Sequence, residues 1–358
     1  MKNLWKLGMV VSIFLLCVGL GMAANNGQKC QESDVKIISQ DELAIRVPGG
    51  GTDPAPIQWA SSGNNLVFEA RGSFGMYGSL NALYTYGGSN TLKRWALLPS
   101  TGGSSQKFDM DLFGNTMVYR NLSAEESTAG VFVNNGSRTP LSGRPFFDDG
   151  VLTEVMHDGP IVTQIVQCLD GFSPSHPCKD PRDVNDPALG TYEVVETIGD
   201  TLVIINIGSY GEYRGNYYLF SPVAGEKTQI TTGDPSTPQL SGLVANDDQE
   251  LAIISKESGH NKVTYFDGTI SRIIAELPSD VAAVSPSIKG GKIMWKEISG
   301  PGPYPNYVVK LKYFDGNQVE TLGDLDYYTI PHLVSQNQYV YYKRSWPNIG
   351  VYKKTFCP

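Results

Sequence analysis

Apolar and aromatic β-formers occur along this chain in short runs, and Gly, Asn, Asp or Pro cuts each run. Amphipathic helical spacing is scarce. The pattern predicts many short strands joined by tight turns. One element recurs, a turn followed by a compact apolar triplet. It reads GNNLVF to Phe68, GNTMVY to Tyr119 and GDTLVI to Ile204. Looser copies are DQELAI to Ile253, GGKIMW to Trp295 and QNQYVY to Tyr341, with a weak copy, DGVLTEV, around Leu152. The leading apolar residues Leu66, Met117, Leu152, Leu202, Leu251, Ile293 and Tyr339 are spaced by 51, 35, 50, 49, 42 and 46 residues.

A second element follows most of these markers, an aromatic strand entering a turn: LYTYGG at Leu83, VFVNNG at Val131, YYLFSPVAG at Tyr217, TYFDG at Thr264 and KYFDG at Lys312. A further short strand follows several of the turns, as at Thr228 to Thr231 and Ser271 to Ile274. A Pro-led strand precedes several markers, from Pro238, Pro286 and Pro331. Four strands per unit and about seven units describe an all-β β-propeller, with six or eight blades as alternatives because the third unit is weak and short. The last unit stops after Val351 to Phe356, without an outer strand. Val35 to Val47 (VKIISQDELAIRV) belongs to no complete unit, so it is expected to supply the missing strand and close the ring, which also removes exposed sheet edges.

The recurring P-x-x-x-G-x-x-apolar triplet followed by Y-F-D-G resembles the TolB-like and tryptophan–aspartate-repeat-like β-propellers of exported prokaryotic proteins, over most of Gly51 to Pro358. The resemblance implies architecture; such folds host many roles. The chain has no regular Trp-Asp dipeptide, no sialidase box and no kelch spacing around its double glycines.

Gly (39) and Pro (22) are abundant enough to supply that many turns. The first 24 residues differ from the rest. Lys2 and Lys6 are followed by an uncharged stretch, Leu7 to Ala24, that ends in small residues. This is a secretory signal pattern, with a retained anchor as the alternative and a lipoprotein at Cys17 disfavoured by the Leu16 before it. Residues 25–358 are then one propeller domain. No later segment is apolar enough for a membrane span, and the mature chain is expected to be an extracytoplasmic monomer: secreted, periplasmic or at the cell surface. Losing Lys2 and Lys6 takes the net charge from −8 to −10, which disfavours nucleic acid as a partner.

Four cysteines remain beyond the leader, an even number in an exported chain. Cys168 and Cys178 flank the short stretch CLDGFSPSHPC and form the natural local pair, which leaves Cys30 with Cys357 at the two chain ends. That second bridge would close nearly the whole mature chain into one loop, worth ~4–5 kcal/mol on the chain-entropy model.

Candidate chemistry is sparse. No G-x-S-x-G elbow exists, and Ser73 and Ser209 read as turn residues. The four histidines, His157, His176, His260 and His332, are scattered. Structural or surface roles are the expectation for them, and His332, at the start of a predicted inner strand, is the best single candidate for a channel site. Asp180, Asp183, Asn185 and Asp186 crowd hard oxygen donors that suit Ca²⁺, though without an EF-hand pattern; a solvated acidic turn is the simpler alternative. They follow the cysteine loop, so a disulfide-bearing insertion is expected near residues 168–190. Loop aromatics (Tyr210, Tyr213 and Tyr217; Tyr304 and Tyr307; Trp346) suit sugars or peptides, or blade packing. Asn121 and Asn135 begin sequons. These features favour a binding or scaffold propeller for a protein or glycan, with no catalytic motif. The alternative is a polysaccharide lyase or hydrolase with its site in the central channel, and a surface-layer or adhesion component ranks third.

Mapping of the unreduced, exported protein is expected to return a mature start at Asn25 and the pairs Cys30–Cys357 and Cys168–Cys178. Any other pairing would overturn the inferred meeting of the chain ends.

Overall fold

The computed structural model describes residues 31–47, 50–73, 79–87, 90–99, 108–113, 116–121, 129–133, 139–141, 143–158, 161–169, 181–184, 192–207, 213–231, 238–239, 244–300, 307–344 and 347–357. They form an all-β propeller. An entry segment comprises β1 (Ser33–Ser39), one helical turn, α1 (Gln40–Leu43), and a ribbon of β2 (Ile45–Val47) with β3 (Gly50–Thr52). The first sheet is β4 (Ala55–Ser62), β5 (Asn65–Ser73), β6 (Ser79–Tyr86) and β7 (Leu92–Pro99). The second is β8 (Phe108–Phe113), β9 (Thr116–Asn121), β10 (Ala129–Val133) and β11 (Thr139–Leu141). The third is β12 (Arg144–Asp148), β13 (Val151–Asp158), β14 (Ile161–Cys168) and β15 (Pro181–Asp183). The fourth is β16 (Tyr192–Ile198), β17 (Thr201–Ile207), β18 (Tyr213–Ser221) and β19 (Glu226–Gln229), with β20 (Pro238–Gln239) added on β18.

The fifth sheet is β21 (Val244–Asp247), β22 (Glu250–Glu257), β23 (His260–Phe266) and β24 (Ser271–Glu276). The sixth is β25 (Ala282–Lys289), β26 (Lys292–Ser299), β27 (Val308–Phe314) and β28 (Val319–Asp324). The last holds β29 (His332–Ser335), β30 (Gln338–Lys343) and β31 (Gly350–Thr355), with β1 beside β31. Six of these sheets have four strands and the fourth has five. Leading strands touch in the order β4, β8, β12, β16, β21, β25 and β29, and β29 touches β4 again.

The apolar triplets explain this regularity. Every marker residue from Leu66 to Tyr339 is the second residue of the second strand of its sheet, and all are 4% exposed or less. A second strand is covered on both faces by neighbouring sheets, so it reads as a continuous apolar run rather than an alternation. Cores therefore lie between sheets. Trp295, Tyr265, Phe314 and Ile254 fill the space between the fifth and sixth. Ile38, Leu43 and Ile45 of the entry segment join Trp59, Phe68 and Tyr84 of the first sheet to Val340, Tyr342 and Val351 of the last.

Three sequence expectations need adjusting. Val35 to Val47 is not one strand. Ser39 and Glu42 form a capping box, in which the Glu42 carboxylate accepts from the Ser39 N–H at 2.7 Å, and this starts α1. The turn drops Leu43 into the core, where Tyr84 donates to its carbonyl at 2.7 Å. Second, Pro238 does not lead the inner strand of the fifth sheet. That strand is β21, while Pro238, lacking an N–H, sits in the short edge strand β20. Third, the stretch 168–190 is not a single loop: Pro181–Asp183 is β15, paired with β14 from Val166 to Cys168. Cys168 and Cys357 each take part in a disulfide of their own; Cys30 and Cys178 lie outside the described residues, as does the leader.

β1 pairs antiparallel with β31 from Ser33 opposite Thr355 to Ser39 opposite Gly350. Gly350 has φ +151°, and a Cβ there would lie 2.5 Å from the Ile38 carbonyl oxygen. Gly350→Ala is expected to lower the stability by about 2–4 kcal/mol in urea unfolding. Gly225→Ala, where φ is +66° but nothing lies within 4 Å, should cost about 1 kcal/mol. Equal costs would mean that the close approach of β1 carries no weight.

Candidate functional site

Antiparallel alternation sorts the connections of every sheet onto two opposite faces. One face carries the turns from first to second strand, and each is two residues long. Asp149–Gly150 (φ 45° and 77°) and Gly290–Gly291 (φ 53° and 71°) have the positive φ values of tight hairpin turns. Acidic side chains of one sheet satisfy the turn of the next. Asp148 accepts from the Gly199 N–H at 2.8 Å, Asp247 from the Gly290 N–H at 2.6 Å and Glu250 from the Gly291 N–H at 2.6 Å.

The opposite face carries some longer connections. Eight residues join β26 to β27, seven join β28 to β29 and six join β30 to β31. These loops bring Tyr307, Tyr327, Tyr328 and Arg344 together. Tyr307 and Tyr327 stack, with centroids 5.1 Å apart and planes at 17°. Tyr328 stands nearly perpendicular to Tyr327, at 88° and 5.3 Å. The Arg344 guanidinium lies 4.7 Å from the Tyr328 centroid, a cation–π arrangement. Tyr327 is 36% exposed and Tyr328 is 45% exposed, so two large rings meet solvent at a right-angled corner.

The corner is held from below. Lys296 on β26 is buried, and its ammonium donates to the carbonyls of Tyr327 and Thr329, both at 2.8 Å. Burial pushes this lysine down to about 8, with the Asp326 charge opposing the shift. Asp326 accepts from the Tyr328 N–H at 2.9 Å and its carbonyl accepts from the Thr329 N–H at 3.0 Å. Thr329, also buried, donates to the Tyr342 carbonyl at 3.3 Å. The loop backbone is therefore fixed at both ends of the aromatic pair before any partner arrives.

Among the loop aromatics expected from sequence, Tyr307 belongs to this corner. Tyr210, Tyr304 and Trp346 lie outside the described residues. Tyr217 is not a loop residue: it is buried on β18 among Ile205, Leu251 and Ile253. Tyr327 and Tyr328 were missed because Asp326-Tyr327-Tyr328-Thr329 reads as a linker before a Pro-led strand. Two adjacent aromatics beside a turn-forming Asp were the signal available.

His332 opens β29 and stitches three sheets together. Its Nε2 lies 2.9 Å from the Ser61 hydroxyl on β4, and its Nδ1 lies 3.3 Å from the Ser287 hydroxyl on β25. Ser287 also accepts from the Leu333 N–H at 2.9 Å. The Ser61 hydroxyl also donates to the Leu333 carbonyl at 3.4 Å, so all the contacts are satisfied when Nε2–H donates to Ser61 and the Ser287 hydroxyl donates to Nδ1. Nearby, the Trp59 indole donates to the Ile330 carbonyl at 2.9 Å. Burial, with the Lys289 charge adding to it, pushes His332 down to about 4. His260 is engaged separately, with Nδ1 3.1 Å from the Leu277 carbonyl. His157 lies on β13, in a different sheet, and His176 is outside the described residues. No group of three or more metal-type ligands occurs among the described residues. Of the proposed Ca²⁺ ligands only Asp183 is described. It is exposed on β15 and accepts from Gln164 at 3.4 Å; Asp180, Asn185 and Asp186 lie outside.

No protein-family model matches the chain, and no curated protein matches it. Solved structures do match. The β-propeller domain of the Trilobed protease from Pyrococcus furiosus, which has an open velcro topology, matches with a TM-score of 0.53 and 11% identity, covering 85% of this chain and 96% of that one. Acylaminoacyl peptidase from Pyrococcus horikoshii matches with a TM-score of 0.51 and 10% identity over 84% of this chain. The chain spans about half the length of that peptidase, 51%. Oligogalacturonate lyase from Vibrio parahaemolyticus matches with a TM-score of 0.50 and 9% identity, covering 91% of this chain and 97% of that one. At these identities the likeness carries the propeller fold alone.

The His332 joint has a pH signature. Its native value, about 4, lies below the ordinary 6.5, so the folded protein resists protonation more than the unfolded chain does. The stabilisation is complete above pH 6.5 and is lost as pH falls towards 4. The urea midpoint is expected to drop between pH 6.5 and 5, above the carboxylate range, and His332→Gln should flatten that segment. An unchanged slope in the variant would show that other groups govern the acid limb.

Proposed function

We propose that this chain is an exported, TolB-like propeller of seven blades whose N-terminal strand completes the last blade. It acts as a binding or scaffold module for a protein or glycan partner. The partner docks on the long-loop face, at the corner formed by Tyr307, Tyr327 and Tyr328. The observation that carries this is the corner itself: two large rings are exposed together, on a loop that a buried lysine and a buried threonine already hold in place. Pre-ordered aromatic side chains lose little conformational freedom on binding, so the stacking they offer appears as affinity.

Further features support parts of this reading. Residues 1–24 have the leader pattern of export, and no helix among the described residues is long and apolar enough to cross a membrane. The seven leading strands touch in a cycle, and β1 pairs with β31. The short-turn face offers less, because its hairpin turns already have acidic partners from neighbouring sheets.

A photo-crosslinking side chain at position 328 is expected to capture partner material in the producing cells, whether protein or glycan. The same side chain at Val223, exposed on the short-turn face, should capture none. Equal capture at both positions, or none at 328, would remove the long-loop face as the binding surface.

A further inference from the structure

We infer that the occupant of the tyrosine corner is a glycan, with one pyranose ring seated against Tyr327 and Tyr328. This deepens the proposed function and rests on it.

The geometry of the rings points to a sugar. A pyranose presents two kinds of surface, a patch of C–H groups on each face and a rim of hydroxyls. A corner of two aromatic planes at 88° gives the C–H patch a floor and the ring edge a wall. Tyr307, stacked on Tyr327 at 5.1 Å and 17°, adds a third ring to the corner. Hydroxyls at the rim then need polar partners beside the rings. Asp326, exposed and directly before Tyr327 in sequence, supplies a carboxylate acceptor, and the Arg344 guanidinium against Tyr328 supplies N–H donors.

The recurring modes of peptide capture fit less well. A proline-rich segment inserts between aromatic rings that flank a slot, but the parallel pair here is already in ring-to-ring contact at 5.1 Å. Strand addition needs an open sheet edge, and Tyr327 and Tyr328 sit in the connection between β28 and β29, not on an edge strand.

Affinity electrophoresis of the full chain, in gels containing hydroxyethylcellulose, glycol chitin, xylan or alginate, tests the inference. Migration should slow in at least one gel. Tyr327→Ala and Tyr328→Ala should each weaken the retardation about tenfold, while Tyr328→Phe, which keeps the ring, should retain it. A thermal midpoint within a few degrees of wild type shows that the alanine variants are folded. No retardation in any gel, or retardation that both alanine variants keep, overturns the inference. If position 328 crosslinks only to protein and no gel retards the chain, the binding face stands and the glycan falls. If neither occurs, both fall.

Discussion

The hydrogen-bonded pairing of β1 with β31 joins the two ends of the described chain, and the packing of the first sheet on the last depends on the segment it anchors. Each sheet buries its faces on the sheets beside it. Trp59 of the first sheet and Val340, Tyr342 and Val351 of the last share one apolar cluster with Ile38, Leu43 and Ile45. The same joint holds the polar stitches of Trp59 to Ile330 and of His332 to Ser61. Backbone pairing, apolar packing and polar stitching thus act at one place, between residues 271 or more apart in sequence. Such distant contacts carry a loop-closure cost that local turns do not.

The rest of the structure divides the labour between the two faces. On one, two-residue hairpins and carboxylate-to-amide contacts repeat from sheet to sheet, and their polar groups are satisfied within the ring. On the other, three of the longer connections bring Tyr307, Tyr327, Tyr328 and Arg344 together. Lys296 links the two tasks. It belongs to a second strand, where a charge would ordinarily be costly, and two backbone carbonyls of the aromatic loop offset that cost. Scaffold and candidate binding surface are therefore fixed to each other, as expected of a rigid platform carrying function on its connections.

Structural or surface roles were the expectation for the scattered histidines, with His332 the best single exception, and His332 is a joint. Both ring nitrogens face hydroxyls on neighbouring sheets, and burial holds it neutral at ordinary pH. A histidine with both nitrogens engaged in this way has the character of a structural tie.

The strand repeat was legible in sequence for a local reason. Turn residues and apolar triplets act over a handful of positions, and the burial of a second strand imposes the same pattern in each unit. Leu152, the weakest marker, still falls at the second residue of β13. Local chemistry was also where the reading slipped: the capping box at Ser39 broke a presumed strand, and Pro238 was given an inner position, although Pro286 does sit in the inner strand of its sheet. Nothing local could reveal the candidate site. Tyr307, Tyr327, Tyr328 and Arg344 belong to three separate connections, and only the closing of sheets against one another brings those connections side by side. Ser61 and Ser287 likewise meet His332 only across the ring. Sequence determined the strands because their causes lie within a few residues; tertiary structure decided the site because its parts come from separate blades.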